Sequence, residues 1–212
     1  MHHGNKNKFC RPFLISHHPE LKCIDSNCDL GETDPATGPG NDEAVMPFIS
    51  SAGIACGFHA GDPLTIERTI RSAMRHGVNI GAHPGYPDRE NFGRKPMMMS
   101  PRELRAMILY QAGAVMAMAA AAGARMRHIK PHGALVARSI EGAVLHDTDL
   151  MISRVIRMIR EKVVETVSGK LIPIEADTVC IHGDNETAPE FVKKLVKALR
   201  AEGIILRPLG RE

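Results

Sequence analysis

The stretch GIACGFHAGDPLTIERTIRSAMRHGVNIGAHPG, residues 53–85, contains one complete strand–loop–helix–strand–loop unit. Residues 53–56 form a short apolar run of the kind that fills a buried strand. Asp62 followed by Pro63 marks a helix start: the acid caps the first turn, and proline occupies the first helical position, where a missing N–H costs little. Gly77 falls just past the helix end, where a left-handed residue is wanted. Residues 78–82 then read as a second strand, and Pro84-Gly85-Tyr86-Pro87-Asp88 as a loop.

The same alternation extends in both directions. Strands are expected at 22–28, 127–130, 178–181 and 204–206, with helices filling the gaps. Ser100-Pro101-Arg102-Glu103 is a capping box, and Thr187-Ala188-Pro189-Glu190 repeats the device. Gly123 and Gly203 fall where helices should end, and residues 32–41 are rich in turn formers. Strands alternating with capped helices indicate a parallel α/β sheet or barrel.

At 212 residues and 43% hydrophobic content, one domain is expected. A formal charge of +3, with basic residues scattered among acids, lacks the concentrated field that nucleic acid requires. Cys10, Cys23, Cys28, Cys56 and Cys180 are odd in number and form no CxxC pair, which suits reduced thiols in the cytoplasm. Residues 1–21 carry His, Asn and Lys without an apolar signal core and read as a flexible extension ahead of a 22–212 domain. The apolar stretch 112–124 is short of the roughly 20 residues that span a bilayer, so it is expected to be a buried helix and no membrane partner is called for.

Polar residues gather just after the strands. Asn27, Asp29 and Glu32 follow the first; His59 and Asp62 the second; His83 and Asp88 the third; Lys130 and His132 the fourth; His182 and Asp184 the fifth. The carboxyl ends of parallel strands share one face, so these residues should converge there. Imidazoles with carboxylates can bind a divalent metal or move protons, and Lys130 can hold a carboxylate or phosphate. Asp29, His59 and His83 would make a reasonable metal triad. Asp62 reads equally well as a helix cap. His76, in a last helical turn, and His128, inside a strand, read as structural. Cys28 and Cys56 read as small buried hydrophobes, and the Met97–Met98–Met99 run as packing. No glycine pattern for binding a nucleotide is present.

Five ordered segments resemble signatures of the LamB/YcsF family: NCDLGE at 27–32, ACGFHAGDP at 55–63, GAHPGYPD at 81–88, KPHGAL at 130–135 and ADTVCIHGD at 176–184. The resemblance implies an irregular (β/α) barrel of the glycoside hydrolase/deacetylase type. It also implies the work of a 5-oxoprolinase A subunit, which opens 5-oxo-L-proline to L-glutamate with ATP and with B and C subunits. Catalytic or metal-binding candidates are then Asp29, Glu32, His59, His83, His132 and Asp184; substrate-binding candidates are Asn27, Asp62, Lys130 and His182. ATP would be a co-substrate, bound with the partner subunits. The rival readings are a stand-alone metal-dependent deacetylase or amidohydrolase, and a non-catalytic paralogue that only binds partners. The chain departs from the family pattern near 135–136, where family members continue through further strand and helix units before a segment like that beginning at Val136. An internal stretch of barrel is expected to be missing, which would expose strand edges and cost stability.

Overall fold

The computed structural model describes residues 22–33, 40–135, 147–166, 168–182 and 187–209. The expected extension at 1–21 and most of the 32–41 loop lie outside this set, as does everything directly after Leu135. The strands are β1 (Cys23–Leu30), β2 (Ser51–Ala55), β3 (Asn79–His83), β4 (Met126–Ile129), β5 (Val163–Glu165), β6 (Leu171–Pro173), β7 (Thr178–His182) and β8 (Ile205–Leu206). The helices are α1 (Asp42–Val45), α2 (Pro63–His76), α3 (Pro101–Ala121), α4 (Thr148–Glu161) and α5 (Ala188–Ala201).

The main sheet is parallel throughout, in the order β4-β3-β2-β1-β7, with β8 pairing the start of β1. Among the described residues the barrel does not close: β4 and β7 are its free edges. β5 and β6 form a separate antiparallel hairpin, which corrects the expectation that helices fill every gap between strands. Val163-Val164 and Leu171-Ile172 are short β-branched and aliphatic runs on either side of a turn at Gly169, and that is a hairpin pattern.

Alternation along β1 sets the layers. Ile24, Cys28 and Leu30 belong to the apolar core with Ala52 and Ile54 of β2 and Ile80 and Ala82 of β3. That core takes in Ile66, Ile70 and Ala73 of α2, Ala112, Val115 and Ala119 of α3, and Val192, Leu195, Val196 and Leu199 of α5. Each fully buried aliphatic side chain of this kind contributes about 1.5–3 kcal/mol. The intervening residues Asp25, Asn27 and Asp29 face the lumen, one side-chain layer above another. The ladder therefore runs past Cys28, so Asp29 sits inside the strand, not after it. Likewise His83 and His182 end β3 and β7. The hydrophobic pattern stops before the hydrogen bonding does, because the inward positions near the strand ends are polar.

Helix starts follow the sequence closely. Asp62 accepts from Leu64 and Thr65 N–H, and Ser100 and Glu103 complete a reciprocal box. Gly77 ends α2 with φ of 68°. Thr187 is the exception to the expected second box: its backbone is helical, at φ −85° and ψ −4°, so its hydroxyl does not turn back to cap α5. α3 is longer than the apolar run foreseen, and at 21 residues it is long and apolar enough to cross a membrane by length and composition alone. It seats Met107, Gln111, Ala112, Val115 and Ala119 in the fold, while Leu109, Tyr110 and Met116 stay exposed. The expected buried helix is thus buried on one side only.

At the amino-terminal end of the lumen, Asp25 is 1% exposed and accepts hydroxyl hydrogen bonds from Ser50 (2.6 Å), Ser51 (2.7 Å) and Thr178 (2.7 Å). This carboxylate ties β1 to the start of β2 and to β7. Asp25→Ala would take the acceptor from the buried Ser50 and Ser51 hydroxyls and from the exposed Thr178, and is expected to cost about 2–4 kcal/mol. Denaturant unfolding should show that loss as a lower midpoint, and an unchanged midpoint would contradict the role given to Asp25.

Candidate functional site

Gly31, with φ of 69°, turns the chain at the end of β1 so that Glu32 reaches over the strand ends. A side chain there would be strained by its backbone alone. His59 sits on the loop after β2, and Arg89 clamps that loop by donating to the carbonyls of Gly57 (2.9 Å) and Gly61 (2.5 Å). His83 ends β3. The loop after it is held by Gln111, fully buried, whose side-chain amide donates to and accepts from the Gly85 backbone at 3.0 Å each way. His132 follows β4, with Nε2 2.7 Å from the Phe92 carbonyl. Phe92 has φ of 54°, costly for a bulky residue, and its ring packs edge-on against His59 and His132.

These loops bring Glu32, His59, His83 and His132 together, all buried. Glu32 Oε1 lies 3.1 Å from His59 Nε2, 3.2 Å from His132 Nδ1 and 3.5 Å from His83 Nε2. His83 Nε2 and His132 Nδ1 are 3.0 Å apart. The outer nitrogens fix the tautomers. His83 Nδ1 faces the Lys130 carbonyl and His132 Nε2 the Phe92 carbonyl, and a carbonyl only accepts. Each ring therefore carries its proton outward and turns a lone pair inward, towards the other lone pair and a carboxylate. Such a contact is attractive only around a cation.

Protonation follows the same pattern. Burial pulls the His83 imidazole down to about 4 despite the nearby Asp29 charge, and burial also lowers His59. Burial would raise Glu32, but its close contacts with His132, His59 and His83 outweigh it and hold the carboxyl well below its usual range. Neutral imidazoles around an ionised carboxylate are in the form that ligates a metal. Glu32 Oε2 and His59 Nδ1 are moreover buried without hydrogen-bond partners among the described residues. The residues present thus fit a divalent ion, although the parallel stack of His59 on His132, at 3.9 Å, would have to open for both lone pairs to converge on it.

Of the expected triad of Asp29, His59 and His83, the two histidines gather with Glu32 and His132, while Asp29 falls in a second group of possible ligands with Cys180 and His182. Asp29 pairs with Lys130 Nζ at 2.6 Å, with His83 Nε2 and His182 Nδ1 each 3.4 Å from its other oxygen. Cys180 Sγ is 3.7 Å from that oxygen, and burial pushes its thiol up to about 11. Asp62 is brought elsewhere: both its oxygens are engaged by Leu64 and Thr65 in capping α2. Asp88 organises its own loop through Asn91 and Lys95. Asp184 lies outside the described residues. Cys28 and Cys56 are buried as expected, and burial takes the Cys56 thiol up to about 12. Sequence reasoning missed Arg89 and Gln111, which pin the loops of the site. A lone Gln in an apolar helix was the available signal.

With this geometry in hand, comparison with known proteins is informative. The LamB/YcsF family matches residues 24–137 and 133–212, as two stretches that overlap. The A subunit of 5-oxoprolinase from Clostridium beijerinckii is 38% identical over 250 aligned positions, covering 89% of this chain and 98% of that protein. The alignment is longer than the 212 residues of the chain itself. The crystal structure of a lactam utilization protein from Thermus thermophilus superposes with a TM-score of 0.79 at 32% identity, covering 87% of this chain and 98% of that one. A family 4 carbohydrate esterase from Streptomyces lividans, at 13% identity and a TM-score of 0.51 over 87% and 91% of the two chains, shares the fold alone. Sequence matches over nearly the whole described barrel place this chain in the LamB/YcsF family.

Proposed function

We propose that this chain acts as the A subunit of a 5-oxoprolinase, opening 5-oxo-L-proline to L-glutamate with ATP and with B and C subunits in the cytoplasm. The observation that carries the proposal is the buried cluster of Glu32, His59, His83 and His132, in which His83 and His132 turn lone pairs inward, set against the Asp29–Lys130 pair. A lactam is a stable amide. ATP supplies the driving force by phosphorylating the lactam oxygen with release of ADP, after which water adds to the ring carbon, the C–N bond breaks as nitrogen takes up a proton to leave an acyl phosphate, and a second water cleaves that to glutamate and inorganic phosphate. A divalent ion held by the cluster would polarise a carbonyl or a bound water.

The chain's own residues have distinct tasks. Lys130 holds a positive charge at the mouth of the lumen, raised above the ordinary lysine range because Asp29 outweighs the effect of burial, and it pairs with the substrate carboxylate or the transferring phosphoryl group. Asp29, between His83 and His182, accepts a proton from water as Lys130 turns to the substrate. His182 is exposed beside it and belongs to the entrance, with Asp184 two residues further on. The two-part family match and the 250-position alignment support a barrel shortened between β4 and α4, where relatives carry further residues.

Glutamate release from 5-oxoproline and ATP is expected with added B and C subunits and not without them. His83→Ala should lower it by at least about a hundredfold. Turnover without ATP on a sugar or peptide acetamide would favour the deacetylase reading instead. Purified protein is expected to carry one divalent ion per chain by elemental analysis, and Glu32→Gln should lose most of it. Equal metal content in the two proteins would sink the cluster as a ligand set.

The cluster also predicts acid lability. His83 titrates near 6.5 in the unfolded chain and near 4 in the fold, so its contribution is complete above about pH 6.5 and is lost as pH falls towards 4. Glu32, depressed from 4.5, extends the loss below that point. Melting temperature of the metal-free protein should fall between pH 6.5 and 4, and His83→Gln should flatten that profile. The same slope in His83→Gln would show that another group is responsible.

A further inference from the structure

The middle layer of the lumen contains a polar pair that the reaction described above does not use. Asn27 is 4% exposed, and its Nδ2 lies 3.0 Å from His128 Nε2. An amide nitrogen only donates, so His128 Nε2 bears the lone pair and the ring keeps its proton on Nδ1. This contact fixes the amide plane of Asn27. Its oxygen, Oδ1, is then buried with no hydrogen-bond partner among the described residues. Leaving a buried acceptor unmatched is costly, and such groups call for an explanation.

Two glycines shape the space around this pair. A Cβ on Gly81 would fall 2.1 Å from His128 Nε2, so the ring lies flat across that backbone and can be there only because position 81 has no side chain. A Cβ on Gly53 would fall 3.2 Å from Asp29 Oδ1, 3.6 Å from Asn27 Oδ1 and 3.6 Å from His83 Cβ. Gly53 thus keeps a notch in the strand between the unmatched acceptor, the Asp29 carboxylate and a cluster histidine, which even one methyl group would crowd. Lys130 Nζ, on Asp29 at 2.6 Å, stands beside this notch, and a substrate carboxylate that draws Lys130 away from Asp29 opens it.

We infer that Asn27 Oδ1, held in place by His128, accepts the N–H of a cyclic secondary amide whose ring enters the notch over Gly53. His128 is a positioning residue in this arrangement. The inference rests on the lactam reading and sharpens it: the site selects a lactam over the lactone of the same shape. The lactone puts an acceptor oxygen where the N–H would be, opposite Asn27 Oδ1. Sites built to hydrogen-bond an N–H reject the analogue lacking it strongly, because a buried group stays unpaired.

Calorimetric titration of the full chain, alone and with B and C subunits, would compare 5-oxo-L-proline with 5-oxotetrahydrofuran-2-carboxylate, its lactone counterpart. The wild-type chain is expected to prefer the lactam by at least about tenfold. Asn27→Ala should bring the two affinities within about twofold, and His128→Ala should shrink the preference without abolishing binding of either compound. Gly53→Ala, whose methyl group would press on the Asp29 carboxylate at 3.2 Å and narrow the notch, should weaken both compounds together. It also tests the notch if Asn27→Ala fails to give a cooperative melt. Equal wild-type affinity for lactam and lactone, or an intact preference in Asn27→Ala, overturns the inference and leaves the lactam reading standing. Absence of lactam binding by the wild-type chain under both conditions overturns the reading itself, and the inference with it.

Discussion

The fold and its site both depend on the two-residue alternation of β1. This strand is paired on both sides, to β2 and to β7, so each of its faces is committed. Ile24, Cys28 and Leu30 belong to the apolar layer with the helices, which leaves Asp25, Asn27 and Asp29 for the lumen. Barrels of this general kind usually fill the interior with branched aliphatic side chains. Here the interior is a polar column: hydroxyls around Asp25 at one end, the Asn27–His128 pair in the middle, and Asp29 with Lys130 near the other. A one-residue slip of β1 would bury Asp25 and Asp29 among isoleucines and empty the site, so packing and chemistry enforce the same register.

The second organising feature is a set of lone pairs directed at one another. Two backbone carbonyls, from Phe92 and Lys130, determine which nitrogen of His132 and His83 carries the proton. Outer partners of this sort orient ligands and set their basicity. Arg89 and Gln111 act one step further out by pinning the loops that carry His59 and follow His83. None of these four contacts touches a reacting atom. Without them, the imidazoles could rotate to satisfy each other and the cluster would lose its acceptor character.

The open side of the barrel bears on both features. Among the described residues β4 has a neighbour on one edge only, and the exposed Leu109, Tyr110 and Met116 lie on α3, the helix that leads into it. Yet Lys130, directly after β4, reaches Asp29 on the central strand, so the polar column stays connected across the lumen. The open sheet therefore keeps its site residues together through the continuous ladder from β4 to β1 and through side-chain reach across the lumen.

Much was legible in the sequence because it is written locally. Strand–helix alternation, the Asp62 and Ser100 caps and the left-handed glycines depend on neighbours within a few residues, so the parallel α/β architecture and the strand-end gathering of Glu32, His59, His83 and His132 followed from the chain alone. Thr187 shows the limit even there, since its hydroxyl caps only if the backbone before α5 is extended, and that depends on what precedes it in space. Tertiary structure alone decided that Asp29 belongs to Lys130 and Glu32 to the histidines, that Asp62 is spent on a helix, and that His128 lies against Asn27 across Gly81. Those outcomes are set by ångström distances between residues up to a hundred positions apart. Sequence spacing places a residue on a face of the sheet, but hydrogen-bond partners are chosen by register and side-chain reach.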